Sequence, residues 1–214
     1  KGLMHHKYCV FDERYVLTGS WNPTQRGTNV NDNYILFIDS KKIAQAFLDE
    51  YVYLQNRDVS VSALHVLSKN YSVNVYFCPQ HNCQEKVLSE LKKATRSVKI
   101  LAFTFTDELI AEELLFLSRK GVDIEIIYEK TRIAKYSTIH DFSNSAIKTF
   151  EDANPYTMHE KMILIDDEIS ILGSYNPTKG ATLKNDENIL IIKNKELAQS
   201  ALNEYYRVFS FITT

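Results

Sequence analysis

Two runs of this chain carry residue types that can hold and attack an anion: MHHKYCVFDERYVLTGSWNPT over 4–24 and MHEKMILIDDEISILGSYNPT over 158–178. In each, a histidine precedes a lysine by two positions, His5 and Lys7 in the first, His159 and Lys161 in the second. Alternate side chains of an extended backbone share a face, so imidazole and ammonium stand side by side. That pair suits an oxyanion, above all a phosphate. Ser20 and Asn22 share a face in the same way, as do Ser174 and Asn176, and would complete a cradle of donors. One copy offers one nucleophile or one proton donor. Two facing copies offer both, on opposite sides of a phosphorus atom. The polar set interrupts two otherwise apolar hairpins identically, which a solvated His-x-Lys would not do. His6 lies on the face opposite His5 and reads as a packed or surface residue. His65, His81 and His140 carry no motif.

The elements that must position these residues repeat with them. Sliding the chain by 154 positions aligns 4–51 with 158–205 without a gap. This is a duplicated half-domain and not a short solenoid repeat. KYCVFD and YVLTGS read as a strand–turn–strand unit joined by Glu13-Arg14, and KMILIDD with ISILGS repeats it. Both hairpins are apolar at nearly every position, as strands covered on two faces are. A third strand follows in each copy (YILFID, ENILIIK), then a helix from Lys41 or Lys195. Between the copies, VNVYFC, VKILAFTF and VDIEIIY alternate with two helices, the second capped by Asp107 and closed by Gly121. The fold class is therefore α/β, a pair of half-domains with mixed β-sheets flanked by helices. The expected division is 1–56 for the last part of a first half, 57–69 for a connector and 70–214 for a complete second half. The stretch 130–157 reads mostly as a long loop. The first half lacks its opening strands and helices, which points to a truncated product. The alternative is a short protein whose missing strands come from another chain, as in a homodimer.

Composition narrows the function classes. The chain has 214 residues, 44% hydrophobic and 24% charged, with a formal net charge of −2. No global positive field draws in nucleic acid or anionic lipid, so any polyanion contact must be local. Three cysteines, Cys9, Cys78 and Cys83, are too few for a disulfide framework and suggest a reducing, cytoplasmic setting, with no visible leader. Cys78 and Cys83 flank His81, but with no second Cys/His cluster they make a poor structural zinc site. The expectation is a buried strand-end Cys78, a helix-opening Cys83, no metal and no cofactor.

The paired pattern resembles the phospholipase D superfamily, whose signature is His-x-Lys, four residues, Asp, six residues, then Gly-(Gly/Ser)-x-Asn. Both copies match it throughout: His5, Lys7, Asp12, Gly19, Ser20, Asn22 and His159, Lys161, Asp166, Gly173, Ser174, Asn176. The resemblance implies two half-domains whose motifs meet at their interface, with metal-independent attack on a phosphodiester through a phosphohistidine. It implies one histidine as nucleophile and the other as proton donor, with Lys7, Lys161, Asn22 and Asn176 holding phosphate oxygens. Asp12 and Asp166 are implied to be supporting only. Family members often hold the catalytic histidine with a downstream glutamate; Glu187 stands at that place, and Asn33 at its counterpart in the first copy. A carboxylate favours imidazolium, so this expectation makes His159 the proton donor and His5 the neutral nucleophile. Trp21 and Tyr175 could line the cleft, and Lys130, Arg132 and Lys135 could guide an anionic substrate. The leading substrate expectation is nucleic acid, DNA or RNA. The alternatives are phospholipid head groups and a non-catalytic binding module.

Overall fold

A computed structural model describes residues 2–132 and 137–213. The first half comprises β1 (Tyr8–Phe11), β2 (Tyr15–Gly19), α1 (Gln25–Asn29), β3 (Ile35–Asp39) and α2 (Lys41–Gln55). The second comprises β4 (Leu64–Leu67), β5 (Ser72–Cys78), α3 (Cys83–Leu91), β6 (Ser97–Ala102), α4 (Glu108–Arg119), β7 (Asp123–Tyr128) and β8 (Lys148–Glu151). It continues through β9 (Lys161–Ile165), β10 (Ile169–Gly173), α5 (Lys179–Leu183), β11 (Glu187–Lys193) and α6 (Lys195–Ser210). β1, β2 and β3 form an antiparallel sheet. The second sheet has eight strands in the order β4-β5-β11-β10-β9-β6-β7-β8, parallel only between β6, β7 and β8.

Two of the segments expected to be irregular contain structure. The connector holds β4, an edge strand paired antiparallel with β5. The stretch 130–157 holds short 3-10 turns at Lys130–Arg132 and Thr138–Phe142, and then β8. Lys135 lies outside the described residues. The expected helix signals are in place, with Asp107 accepting from the Ile110 N–H and Gly121 at φ +90 after α4.

The two sheets are covered differently. α3 and α4 close one face of the larger sheet, burying Ile165 (1% exposed) and Ile191 (4%). Their counterparts Phe11 and Phe37 are 46% and 64% exposed, because the three-stranded sheet has no helical layer on that face among the described residues. The first hairpin is therefore covered on one face, where two were expected. Its inner face packs through Val16 onto α2, in a cluster shared with Phe77 and Leu190 of the larger sheet. α6 fills the corresponding place under β9 and β10.

Each hairpin turns on two residues in the left-handed region, Asp12-Glu13 (φ 51 and 50) and Asp166-Asp167 (φ 54 and 55). Two such residues match the right-handed twist of the flanking strands, and aspartate tolerates that conformation better than most residues. The turn is thus one position earlier than Glu13-Arg14. It also corrects the supporting role of the motif aspartates. Asp166 is seven residues from His159, roughly 20 Å at the rise of a strand. Its carboxylate accepts from the backbone N–H groups of Thr95, Arg96 and Ser97 and from the Thr95 hydroxyl, at 2.8–2.9 Å. It anchors the start of β6 and does no chemistry at the histidines. Asp12 is exposed, with no side-chain hydrogen bond among the described residues. Asp166→Ala is accordingly expected to lower unfolding free energy by about 1–3 kcal/mol and Asp12→Ala by less than about 0.5 kcal/mol, read from urea denaturation midpoints.

The halves are stitched by reciprocal contacts. Met4 bridges Asp186, and its counterpart Met158 bridges Asp32. The Tyr34 hydroxyl accepts from the Gly173 N–H at 2.6 Å and lies within donating distance of the Lys161 and Gly173 carbonyls. Asn188, the counterpart of Tyr34, donates to Thr18 at 3.1 Å. Each half thus inserts one side chain into the hairpin of the other, Tyr34 from just before β3 and Asn188 from β11.

Candidate active site

The two histidines lie at the seam, just before the hairpins; Lys7 immediately precedes β1 and Lys161 opens β9. Gly19 and Gly173, at φ +145 and +146, end β2 and β10 in a conformation that L side chains rarely adopt, and a Cβ there would collide with the carbonyls of Tyr34 and Asn188. That tight crossing brings the end of each hairpin against its β3 or β11 neighbour, and against the other half.

The histidine partners cross between halves. His5 Nδ1 donates to Glu187 Oε2 at 2.7 Å. His159 Nδ1 meets two acceptors of the first half, the Ser20 carbonyl at 3.0 Å and Asn33 Oδ1 at 3.1 Å. The expectation that Glu187 serves His159 is therefore corrected: the carboxylate holds His5 and the amide holds His159. The cause is the seam itself, which places β11 beside His5 and the segment leading into β3 beside His159. Each Nδ1 faces acceptors only, so each carries hydrogen. Nε2 of both rings then has no protein partner among the described residues.

The serines prove to be orienting groups and not part of an anion cradle. Both are fully buried. Ser174 Oγ donates to Glu187 Oε2 at 2.7 Å, and Ser20 Oγ donates to Asn33 Oδ1 at 3.2 Å. Each fixes the residue that fixes the opposite histidine. Asn33 is further pinned by donating to the Gly27 carbonyl at 2.9 Å, which leaves its oxygen facing His159. The amide oxygen of Asn176 is buried without a partner among the described residues; it can only accept, so an anion would have to be met by the NH₂ of this side chain. Asn22 is half-buried and lines a cavity of about 240 Å³ with Lys7, Thr18, Gly19 and Trp21.

The lysines curl back and share one electrostatic field. Lys7 Nζ donates to the His5 carbonyl at 2.8 Å and Lys161 Nζ to the His159 carbonyl at 2.7 Å, leaving further N–H donors on each ammonium. Burial pulls Lys7 down to about 8, against the attraction of Glu187. Burial and then the charge of Lys7 hold Lys161 well below the usual lysine range. Burial, followed by the charges of Lys161 and Lys7, pulls His159 down to about 3, and His5 adds to the effect. Groups of one half thus act directly on groups of the other: the two motif sets converge on one pocket that is short of negative charge. An anion placed there relieves all three penalties at once.

Other expectations fare unevenly. His6 is buried, with Nε2 3.0 Å from Glu50 Oε1, so it packs the first hairpin onto α2. Tyr175 is 6% exposed and bonded to Thr182 at 2.7 Å, which removes it from the cleft wall; Trp21 remains on it. Cys78 and Cys83 are joined as a disulfide, Cα atoms 5.7 Å apart, a single bridge that the reading of Cys78 as a strand end and Cys83 as a helix start had not foreseen. Cys78 does end its strand buried and Cys83 does open its helix. Sequence reasoning missed Phe103, whose ring lies 4.6 Å from the His159 ring and 4.6 Å from Lys161 Nζ. Nothing in its sequence context singles it out from the other strand-end aromatics.

The chain matches the family model described as cardiolipin synthase, PLD-like domain, over residues 1–54 and 87–209. A phospholipase D of Rickettsia conorii is 30% identical over 159 residues, 71% of this chain and 80% of that protein. The structure of the phospholipase D family member Nuc from Salmonella typhimurium has a TM-score of 0.62 at 30% identity, covering 65% of this chain and 95% of that one. Phosphatidylserine synthase from Haemophilus influenzae has a TM-score of 0.74 over 99% of this chain and 61% of that one; at 15% identity it shows a shared fold alone. With its duplicated motif halves sharing one pocket at the seam, the chain belongs to the phospholipase D superfamily and is a phosphodiesterase of that group.

Proposed function

We propose that the pocket cleaves a nucleic-acid phosphodiester without a metal, through a phosphohistidine on His5. The observation that carries the reading is the crossed pairing, with a carboxylate behind one histidine and an amide behind the other, around two ammonium groups. A nucleophilic imidazole becomes a phosphoimidazolium, positively charged for the life of the intermediate, and Glu187 at 2.7 Å stabilises that charge. His159 has only neutral oxygens behind it, so no fixed carboxylate holds a proton on it once the substrate's charge has gone. These are grounds for His5 as nucleophile that do not depend on the expected Glu187–His159 pair.

In the first step His5 Nε2 attacks phosphorus while the P–O bond to the leaving group breaks, and the leaving oxygen takes the proton from His159 Nε2. Water then attacks phosphorus, His159 takes its proton, and the N–P bond breaks to release a phosphomonoester. Lys7, Lys161, Asn22 and Asn176 hold the non-bridging oxygens. His159 is neutral in the free pocket, so the substrate's own negative charge must load it with the proton it later donates.

Lys7 makes this testable by pH. Its ammonium is lost as pH rises through about 8 in the free protein, so an anion binding above that pH must restore the proton. Affinity for a phosphate mimic such as tungstate is expected to fall as pH rises, and the fall is expected to steepen by about a further tenfold per pH unit once Lys7 loses its proton above about pH 8, with proton uptake on binding. Calorimetry in buffers of different ionisation enthalpy reads both quantities.

Nucleic acid is the favoured substrate because each motif set has a part-exposed aromatic ring beside it on which a base can stack, Trp21 with Lys7 and Asn22 and Phe103 with His159 and Lys161. Phospholipid is the second reading, favoured by the name of the Rickettsia relative. The test incubates the protein with EDTA and labelled single- and double-stranded DNA, RNA and phospholipid vesicles. Nucleic-acid cleavage that weakens steeply with salt is the expected result. Head-group release from vesicles, with no nucleic acid cut, would replace the nuclease reading and leave the phosphodiesterase intact.

A further inference from the structure

We propose that Arg132, held over the Phe103 ring, grips the phosphate next to the scissile one on the His159 side of the pocket. The inference rests on the nucleic-acid reading and names how that substrate is held beyond its reacting centre.

The Phe103 ring follows β6 directly and is a common platform. The Arg132 guanidinium carbon stands 4.8 Å from its centroid, Lys161 Nζ 4.6 Å, and the His159 ring 4.6 Å in an edge-on contact. A strand-end aromatic therefore ties an exposed arginine to the two groups that reach the reacting phosphate. The arginine's charge is felt inside: it is among the groups that hold the Lys161 ammonium down. Gathering one more cation beside a pocket already short of negative charge is unfavourable unless a further anion is to be met there.

Arg132 is also unspent. Its side chain makes no ion pair or hydrogen bond among the described residues, and its backbone N–H goes to the Glu129 carbonyl at 3.0 Å. By contrast, Arg14, Arg57 and Arg207 each engage a carboxylate with bidentate geometry, and Arg207 reaches a second one at Asp32. Lys130, two residues earlier, is turned toward the Asn154 carbonyl, to which it donates at 3.2 Å. A guanidinium lying on an aromatic face keeps its edge of N–H donors free, and that edge matches two phosphate oxygens. On the other side of the pocket, the cavity lined by Lys7, Trp21 and Asn22 has no such arginine. The second grip is one-sided, so it also sets which end of the strand departs.

The experiment compares a trinucleotide, which has a phosphate beside the scissile one, with bis(p-nitrophenyl) phosphate, which has none. In Arg132→Ala the ratio of kcat/KM values, trinucleotide over simple diester, is expected to fall about 10–100-fold, mainly through KM. Arg132→Lys keeps the charge and loses the planar fork, and should recover only part of the ratio. The slope of log affinity for a longer oligonucleotide against log salt should become shallower by about one. Phe103→Leu removes the platform and should shift the ratio in the same direction. An unchanged ratio in Arg132→Ala, with the wild type cutting the trinucleotide, overturns this inference alone. A wild type that cuts the simple diester and no oligonucleotide overturns the nucleic-acid reading beneath it. Selective loss on vesicles of a two-phosphate lipid, with oligonucleotides uncut, would assign the arginine to a lipid and overturn the strand proposal.

Discussion

His5→Ala is expected to abolish turnover on ordinary and activated phosphodiesters alike, whereas His159→Ala keeps part of its activity where the leaving group needs no proton. The first variant has no atom on which to carry phosphorus, and should lose roughly 10⁴-fold or more in kcat on any substrate. The second lacks the proton donor, a deficit of about 10²–10⁴-fold with an alkoxide leaving group. With p-nitrophenolate, which departs unaided, the first step should slow by less than about tenfold. Because His159 is also the base for the attacking water, that variant should show a burst of p-nitrophenol and accumulate an acid-labile, base-stable phosphoenzyme. Rapid quench on both substrates reads the burst, and a label carried on the phosphoryl group reads the intermediate. Equal losses on both substrates in both variants, with no trapped phosphoenzyme, would remove the division of roles.

Glu187→Gln is the second large effect, expected at about 10²–10⁴-fold in the rate of phosphoenzyme formation. Glu187 is fully buried and accepts from His5 Nδ1 at 2.7 Å, Ser174 Oγ at 2.7 Å and Asn185 Nδ2 at 3.1 Å. A glutamine that turns its NH₂ toward His5 forces the hydrogen onto Nε2 and blocks the lone pair that must attack. One that turns its oxygen there keeps the geometry but loses the charge that stabilises the phosphoimidazolium. Both outcomes slow the first step, and neither removes the lysines that bind phosphate, so KM should change far less than kcat. Asn33→Ala, which removes an uncharged partner from His159 and leaves the Ser20 carbonyl in place, should cost less. Single-turnover quench measures the step directly. A Glu187→Gln protein that forms phosphoenzyme at the wild-type rate would show that the 2.7 Å contact orients a ring and no more.

Part of this protein was legible in the order of its residues, because that part is governed by local periodicity. Alternation in an extended chain puts every second side chain on one face, so His5 with Lys7, and His159 with Lys161, could be paired from spacing alone, although of the four only Lys161 lies within a strand. The capping of α4 by Asp107 and its close at Gly121 follow from the unsatisfied groups at helix ends, which few residue types can serve. The duplication needed only an alignment of the chain with itself, and it correctly placed two equivalent polar sets on equivalent hairpins. Even the separate status of His6 followed from alternation.

The rest depended on which surfaces meet. Glu187 is 28 residues from His159 and 182 from His5, and it serves His5. No spacing rule reveals this, because the crossing arises when two similar halves pack about a shared seam and each β3 or β11 end lies against the other's hairpin. The same packing turned Ser20 and Ser174 from anion donors into orienting groups, and buried Tyr175 while leaving Trp21 at the cavity. Asp12 and Asp166 occupy the same motif position, yet among the described residues only Asp166 accepts from backbone N–H groups of another segment. The order of residues determined that two imidazole–ammonium pairs would stand on two like hairpins, since local backbone geometry decides that. Only the tertiary structure decided which carboxylate or amide stands behind each imidazole, and that Phe103 joins Arg132 to them, since those contacts form between segments far apart in the chain.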